Sequence, residues 1–132
     1  MNPLSWFEKH NKISWTVTII LAIAIFYISS ITFEGEFATG NNLYSIIYHL
    51  IAFFFLSLFL LISFIRGRPK TFFFVFAGII LIVYAIFDEL HQFFVPGRYC
   101  SLFDIFFDTV GISFAILIYA VNTKLNNKNI YK

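Results

Sequence analysis

Four apolar stretches, each about as long as a membrane-spanning helix, make up most of this 132-residue chain. They cover approximately residues 13–33, 44–65, 71–94 and 102–121. A helix needs roughly 20 apolar residues to cross the hydrocarbon of a bilayer, so each stretch is long enough to span it once. Charged residues make up 12% of the chain and hydrophobic residues 60%, which excludes an ordinary soluble domain. The sequence therefore predicts an all-α membrane protein in which residues 1–132 form a single transmembrane domain.

The links between these stretches are short. Residues 34–43 join the first stretch to the second, and residues 66–70 join the second to the third. Short links place consecutive helices side by side in opposite directions. We therefore expect a compact antiparallel bundle of four transmembrane helices.

The positions of the basic residues predict how this bundle is oriented. Eight of the nine lie before the first stretch, in the second link or after the last stretch: Lys9, Lys12, Arg66, Arg68, Lys70, Lys124, Lys128 and Lys132. The first link contains Glu34 and Glu36 but no basic residue. By the positive-inside rule, both termini face the cytoplasm and the link between the third and fourth helices faces the outside of a multi-pass cell-membrane protein. Because topology explains the basic residues, no nucleic-acid partner is expected.

One polar stretch interrupts the apolar pattern, from Asp88 to Asp108, and it contains four of the seven acidic residues. On a helix, Asp88, His91 and Gln92 share one face, and Glu89 is three residues from Gln92. Ionisable groups within or beside hydrocarbon are costly and commonly mark a functional site. We therefore expect the site of this protein in this stretch.

Two further groups are expected at the same depth. Pro96 and Gly97 predict a turn that presents Arg98, whose planar guanidinium binds carboxylates or phosphates through paired hydrogen bonds. His49 is the one ionisable residue of the second stretch, about one turn from the end that faces this link. Its depth suggests a site shared with the polar stretch.

The start of the fourth helix has two explanations for its polar residues. Ser101 and Asp104 have the spacing of a capping box, which would satisfy free backbone donors of the first turn. Asp108 is one turn deeper on the same face, which Gly111 and Ala115 continue. This stripe of small residues favours close helix packing, so we expect it to point into the bundle toward the third helix, with Asp108 buried.

The residues discussed above resemble a known family, the VanZ-like membrane proteins. The resemblance covers about residues 26–115 and includes an Asp-Glu pair, a following Gln, a Pro-Gly-Arg turn and polar or small residues on the next helix. The matching residues are Asp88, Glu89, Gln92, Pro96, Gly97, Arg98, Ser101, Asp104 and Gly111, with Ser29 and Ser30 on the first helix and His49, Phe53 and Leu56 on the second. The family is named for an accessory protein of glycopeptide resistance that lowers susceptibility to teicoplanin. The resemblance thus implies a cell-envelope role that concerns a lipid or a lipid-linked cell-wall component.

This chain departs from the family pattern at two places. Asp108 stands where the family usually has asparagine, and Ser45 and Ile46 replace an acidic and basic pair often found before the histidine. The additional carboxylate changes the charge balance and could create a cation site.

Three hypotheses follow. The first is a binding protein for a lipid headgroup, with ligand-binding residues Arg98, Gln92, His49, Asp104, Asp108 and Ser101. The second is an intramembrane hydrolase or transferase in which Glu89 or Asp88 is the general base. The third is a structural or partner-binding bundle of undetermined oligomeric state. The chain has no zinc motif and no cofactor is expected, although a divalent cation held by the carboxylates Asp88, Glu89, Asp104 and Asp108 is left open.

Overall fold

The structure, a computed structural model, describes the backbone of residues 3–32 and 43–130 and the side chains up to residue 126. Its helices are α1 (Pro3–Lys9), α2 (Asn11–Ser29), α3 (Leu43–Ile65), α4 (Thr71–Phe93) and α5 (Leu102–Ile130), and these described ranges contain no strand. Four of the helices, α2 to α5, are long and apolar enough to cross a membrane. The predicted all-α class with four spans is confirmed. The acidic pair of the first link, Glu34 and Glu36, lies outside the described residues.

The helix bounds differ from the predicted ones at three places. The first span ends at Ser29 instead of residue 33. Carbonyl groups of its last turn accept hydrogen bonds from side chains instead of continuing the helix: the hydroxyl of Ser30 donates to one, and Arg98 from the link before α5 donates to another. The last helix continues to Ile130, since neither proline nor glycine interrupts residues 122–130. A separate short helix, α1, precedes the first span and begins at Pro3, where proline is well tolerated.

Helix α3 lies at the centre of the bundle. It contacts α1, α2, α4 and α5, and its buried face includes the fully enclosed side chains of Phe53, Leu61 and Ile62. The larger core side chains from the other helices are Ile25 from α2, Leu81 from α4 and Ile112 and Tyr119 from α5. Each of the four spanning helices also carries exposed apolar side chains, as expected for helices that face lipid.

Hydrogen bonds between helices define two ends of the bundle. At one end, Ser29 of α2 bonds Asp88 of α4, and His49 of α3 bonds Asp108 of α5. We call it the Arg98 end; there α2 and α4 finish and α3 and α5 begin. At the opposite end, which we call the Arg66 end, the hydroxyl of Tyr119 donates to Glu8 at 2.6 Å and accepts from the backbone N–H of Gly67. Consecutive spanning helices therefore run in opposite directions, as the short links predicted.

The small-residue stripe on α5 points into the bundle, but it meets a different helix from the one expected. Asp104, Asp108 and Ala115 are all buried. A Cβ added to Gly111 would lie 2.5 Å from the carbonyl oxygen of Leu50 in α3. The prediction that the stripe faces the third spanning helix is wrong at this point, because the close approach that Gly111 permits is made with the second spanning helix.

Candidate functional site

The residues that the sequence indicated on three different helices converge at the Arg98 end. We call six of them the polar cluster: His49, Asp88, Glu89, Gln92, Asp104 and Asp108. Each has 2% or less of its surface exposed. The expected proximity of His49 to the polar stretch is confirmed. Buried ionisable groups within a membrane bundle need partners, so the hydrogen bonds of each determine what the cluster can do.

His49 lies among three carboxylates. Its Nδ1 is 2.9 Å from Oδ1 of Asp108, a hydrogen-bond distance. Its Nε2 is 3.7 Å from Oδ2 of Asp104 and 3.9 Å from Oε1 of Glu89, which is too far for hydrogen bonds. The second oxygen of Asp108, Oδ2, is buried without a hydrogen-bond partner. One imidazole therefore faces more acidic oxygens than it can bond.

Glu89 joins α4 to the beginning of α5. Its Oε2 accepts a 2.7 Å hydrogen bond from the backbone N–H of Ser101, and its Oε1 accepts one from Nε2 of Gln92. Ser101 in turn caps α5, since its hydroxyl accepts from the backbone N–H of Asp104 at 3.3 Å. Half of the predicted capping box is thus present. The reciprocal bond comes from Glu89 rather than Asp104, because the Asp104 side chain turns toward Ser45 and the histidine.

Asp88 joins α4 to the end of α2. Its Oδ2 accepts hydrogen bonds from the hydroxyl of Ser29 at 2.9 Å and from Nε2 of Gln92 at 3.0 Å. Its Oδ1 is buried and has no hydrogen-bond partner. The predicted serine of the first helix therefore contributes directly to the polar cluster.

Arg98 holds the end of α2. Its Nη2 donates to the carbonyl of Ile28 at 2.8 Å and its Nε to that of Ile31 at 3.0 Å. Its Nη1 lies 3.5 Å from Oε1 of Gln92, whose amide nitrogen bonds both Asp88 and Glu89. A cation at the C-terminus of a helix complements the helix dipole. Arg98 therefore fastens α2 to the link before α5 and reaches the carboxylates through Gln92.

The guanidinium of Arg98 is half-buried in this position. Its partial removal from water lowers the pKa of Arg98 from the usual value, while the nearby carboxylates Asp88 and Glu89 raise it. Arginine stays charged despite such shifts. The Arg98 end therefore presents a fixed positive charge at the edge of the bundle.

An apolar crevice opens beside the polar cluster, between α2 and α4. We call it the Phe26 crevice; it measures about 430 Å³ and is lined by Phe26, Tyr84, Phe87, Asp88, Leu90, His91 and Phe94. The ring of His91 stacks on Phe26 at 4.3 Å, and its Nε2 is 2.9 Å from the hydroxyl of Ser30. The crevice therefore combines a lipid-facing apolar wall with a polar end.

His91 was not among the predicted site residues, although the sequence put it on the face of Asp88 and Gln92. The signal that could have indicated it is its depth, which matches that of Ser30 at the end of the first span. The apolar residues that line the crevice had no comparable signal, because the chain contains 20 phenylalanines and every helix carries at least one.

Comparison with known protein families covers nearly the whole chain. A family model described as VanZ/LLP1 matches residues 5–123, nearly the whole chain. The chain belongs to the VanZ/LLP1 family. Comparison with curated proteins gave no match, and comparison with solved structures gave none. Membership of the VanZ/LLP1 family thus rests on the sequence match, and it confirms the resemblance given by the residues of the polar stretch.

Two departures of this VanZ/LLP1 protein from the family pattern, Asp108 and Ser45, lie in or beside the polar cluster. Asp108, which replaces the usual asparagine, is the closest partner of His49. Ser45 replaces the acidic member of the usual pair. Its hydroxyl donates a hydrogen bond to Oδ1 of Asp104 at 3.4 Å. The chain therefore has a carboxylate at position 108, where the pattern has asparagine, and a neutral donor at position 45, where the pattern has an acidic residue.

Proposed function

We propose that this VanZ/LLP1 protein binds a membrane lipid or a lipid-linked cell-wall precursor in the Phe26 crevice, at the outer face of the cell membrane. The observation that carries the proposal is the composition of the crevice. Its wall is apolar, and His91 and Asp88 lie at its polar end. Lipid-binding sites need both parts, because an acyl chain is stabilised by apolar contact and a headgroup by hydrogen bonds and charge.

Arg98 supplies the charge in this proposal. Its guanidinium is held at the same end of the bundle by the carbonyl of Ile28, in the last turn of α2, and by that of Ile31 just beyond this helix. Helix α2 also contributes Phe26 to the crevice. A guanidinium binds phosphate oxygens in a paired geometry, so a phosphate-bearing headgroup suits this position. Buried Gln92, His49, Asp104 and Asp108 then act by positioning the arginine and the helix ends.

Retention of a cell-wall precursor would limit the access of a membrane-anchored glycopeptide to its target. This is the teicoplanin effect that the family resemblance implies. It is part of the proposal and requires that the bound lipid carries the cell-wall unit.

The alternative of an intramembrane acid/base enzyme would require a substrate to reach Glu89 or Asp88. Glu89 is fully buried, and both of its oxygens accept hydrogen bonds from the protein. Asp88 borders the crevice and has one oxygen without a partner, so it is the better placed of the two predicted bases. Binding without chemistry needs fewer assumptions and is the function we favour over catalysis or a purely structural role.

Filling the crevice is expected to reduce lipid binding. In Leu90→Trp a larger side chain enters the wall of the Phe26 crevice, and we expect the fraction of protein that carries lipid to fall about tenfold. The measurement is native mass spectrometry of the purified protein with phosphatidylglycerol and with a lipid-linked cell-wall precursor. These two probes distinguish an ordinary phospholipid from a cell-wall ligand.

Leu117→Trp is the matched control. Leu117 lines a second apolar crevice, of about 280 Å³, on the surface of α5. An equal loss of bound lipid in both variants, or no loss of bound lipid in either, would contradict a site in the Phe26 crevice.

A new product mass that disappears in Glu89→Gln or Asp88→Asn would indicate an enzyme instead. These variants are more informative than Arg98→Ala, which also releases the end of α2.

The outward orientation is the second part of the proposal. The basic side chains of Lys9, Arg66, Arg68 and Lys124 belong to segments at or near the Arg66 end, opposite the polar cluster. The positive-inside rule then puts the Arg98 end outside. Both termini would face the cytoplasm.

The single cysteine allows a direct measurement of this orientation. Cys100 is exposed in the link between α4 and α5, and we expect a membrane-impermeant maleimide to label it in intact cells. Desolvation and the nearby carboxylates Glu89 and Asp104 raise the pKa of Cys100, which lowers its thiolate fraction at neutral pH. Labelling should therefore accelerate as the pH rises from about 7 toward 9.

The control for this measurement is a cysteine at the opposite end. Arg68 is exposed, and Arg68→Cys combined with Cys100→Ser should be labelled after the cells are permeabilised and not before. The reverse pattern in the two proteins would mean that the Arg98 end faces the cytoplasm.

A further inference from the structure

Three helices bring potential metal ligands together inside the polar cluster. His49 from α3, Glu89 from α4 and Asp108 from α5 each offer a ligand atom, and these atoms lie within 4.8 Å of one another. All three side chains are 1% exposed or less. Asp104 adds a further carboxylate, with Oδ2 at 3.7 Å from Nε2 of the histidine.

The hydrogen bonds of these residues are incomplete in a way that suggests a missing positive charge. Oδ2 of Asp108 is buried and has no hydrogen-bond partner. Nε2 of His49 faces oxygens of Asp104 and Glu89 at 3.7 and 3.9 Å, beyond hydrogen-bond reach. Leaving a buried charge uncompensated is strongly unfavourable. Apart from the histidine, no other member of the polar cluster can carry a positive charge.

The spacing suits a small cation. Metal–ligand bonds of about 2.0–2.2 Å place the ligand atoms of one tetrahedral ion about 3.3–3.6 Å apart. The atoms of His49, Glu89 and Asp108 would reach this spacing by a contraction on the order of 1 Å. Mixed imidazole and carboxylate ligands suit transition metals, whereas calcium and magnesium prefer oxygen alone.

We infer that His49, Glu89 and Asp108 bind one divalent transition-metal ion, Zn²⁺ or Mn²⁺, which ties α3, α4 and α5 together at the Arg98 end. This differs from the cation site of four carboxylates considered from the sequence. The histidine takes part, and Asp88 is left out because the ligand atoms that lie within 4.8 Å of one another belong to His49, Glu89 and Asp108. The inference goes beyond lipid binding and does not depend on it.

The test is the metal content of the full-length protein, purified without affinity tags that bind metal and loaded with Zn²⁺ or Mn²⁺ before dialysis. Inductively coupled plasma mass spectrometry should find about one equivalent of either ion in the wild type. We expect His49→Ala and Asp108→Asn each to weaken binding by about tenfold or more, measured by titration of the chelator-stripped protein. Asp108→Asn is nearly isosteric, so it serves if His49→Ala does not fold.

The control variants are His91→Ala and His10→Ala, which remove histidines outside the cluster. Both should keep the ion. Loss of metal in either control and not in Asp108→Asn would overturn the inference, and so would a wild type that binds neither ion.

X-ray absorption at the metal edge of the wild type gives a second readout that needs no variant. One imidazole and several oxygen ligands are expected, whereas a sulfur ligand would point to the exposed Cys100 and contradict the assignment. The lipid-binding measurement remains interpretable in either case, since Leu90→Trp changes no residue of this site.

Discussion

Replacing His49 by glutamine is expected to lower the free energy of unfolding by about 3–5 kcal/mol, measured with a chelator present so that bound metal does not contribute. His49 is buried and lies between the carboxylates of Asp108, Asp104 and Glu89. Glutamine keeps hydrogen-bonding capacity but cannot become positive. Removal of the cationic partner therefore leaves several acidic groups buried against one another. Chemical unfolding in detergent micelles, followed by circular dichroism, measures the change.

Asp108→Asn is the companion variant, and its expected effect is much smaller. Asparagine keeps an acceptor for Nδ1 of His49 and removes one carboxylate from a cluster that holds more acids than bases. We expect a change of about 1 kcal/mol or less in either direction. The double variant His49→Gln with Asp108→Asn should recover part of the loss, because one fewer acid is left without a counter-charge. Equal costs for the two single changes would contradict this account of the cluster.

The sequence predicted the membrane class and the four spans because both depend on local composition. Stretches of about 20 apolar residues are visible without any tertiary information. The depth of a residue in the membrane could be inferred in the same way, because a helix rises by a fixed distance per residue. This is why His49 was correctly associated with the polar stretch.

It was harder to predict which neighbouring helix covers the buried face of a given helix. The stripe of Asp108 and Gly111 was correctly expected to be buried, but its neighbour was assigned to the wrong helix. A pattern on one helix states which face is inward and does not state which partner covers it. Four helices in a bundle offer more than one inward neighbour to α5, and it contacts both α3 and α4.

Hydrogen bonds between residues far apart in the sequence could not be predicted for the same reason. The expectation that Arg98 binds a carboxylate or a phosphate stays a prediction, and the structure adds two partners that the sequence did not indicate, the carbonyls of Ile28 and Ile31. Backbone acceptors have no sequence signal. The bond from Ser101 to Glu89 was hidden likewise, because capping patterns concern residues within one helix.

Among substitutions that add a single methyl group in the helices, Gly111→Ala is expected to be the most damaging. It should lower the free energy of unfolding by about 2–3 kcal/mol. The added methyl would lie 2.5 Å from the carbonyl oxygen of Leu50 and 3.1 Å from the backbone nitrogen of Phe54. Both atoms belong to the backbone of α3, so no side chain can turn aside to make room. Helices α3 and α5 would have to separate next to His49 and Asp108. This separation would also weaken the hydrogen bond between these two side chains.

Gly78→Ala is the matched control because Gly78 is also a buried glycine within a spanning helix. Its added methyl would meet the Cδ1 atom of Ile116 at 3.6 Å, an ordinary contact with the end of a flexible side chain. Alanine favours helix over glycine by up to about 1 kcal/mol, so this variant should unfold at the same or a slightly higher denaturant concentration. If Gly111→Ala were as stable as Gly78→Ala, the close approach of α3 and α5 at Leu50 would be wrong. A large loss at Gly111 alone would support the helix pairing that brings His49 and Asp108 together.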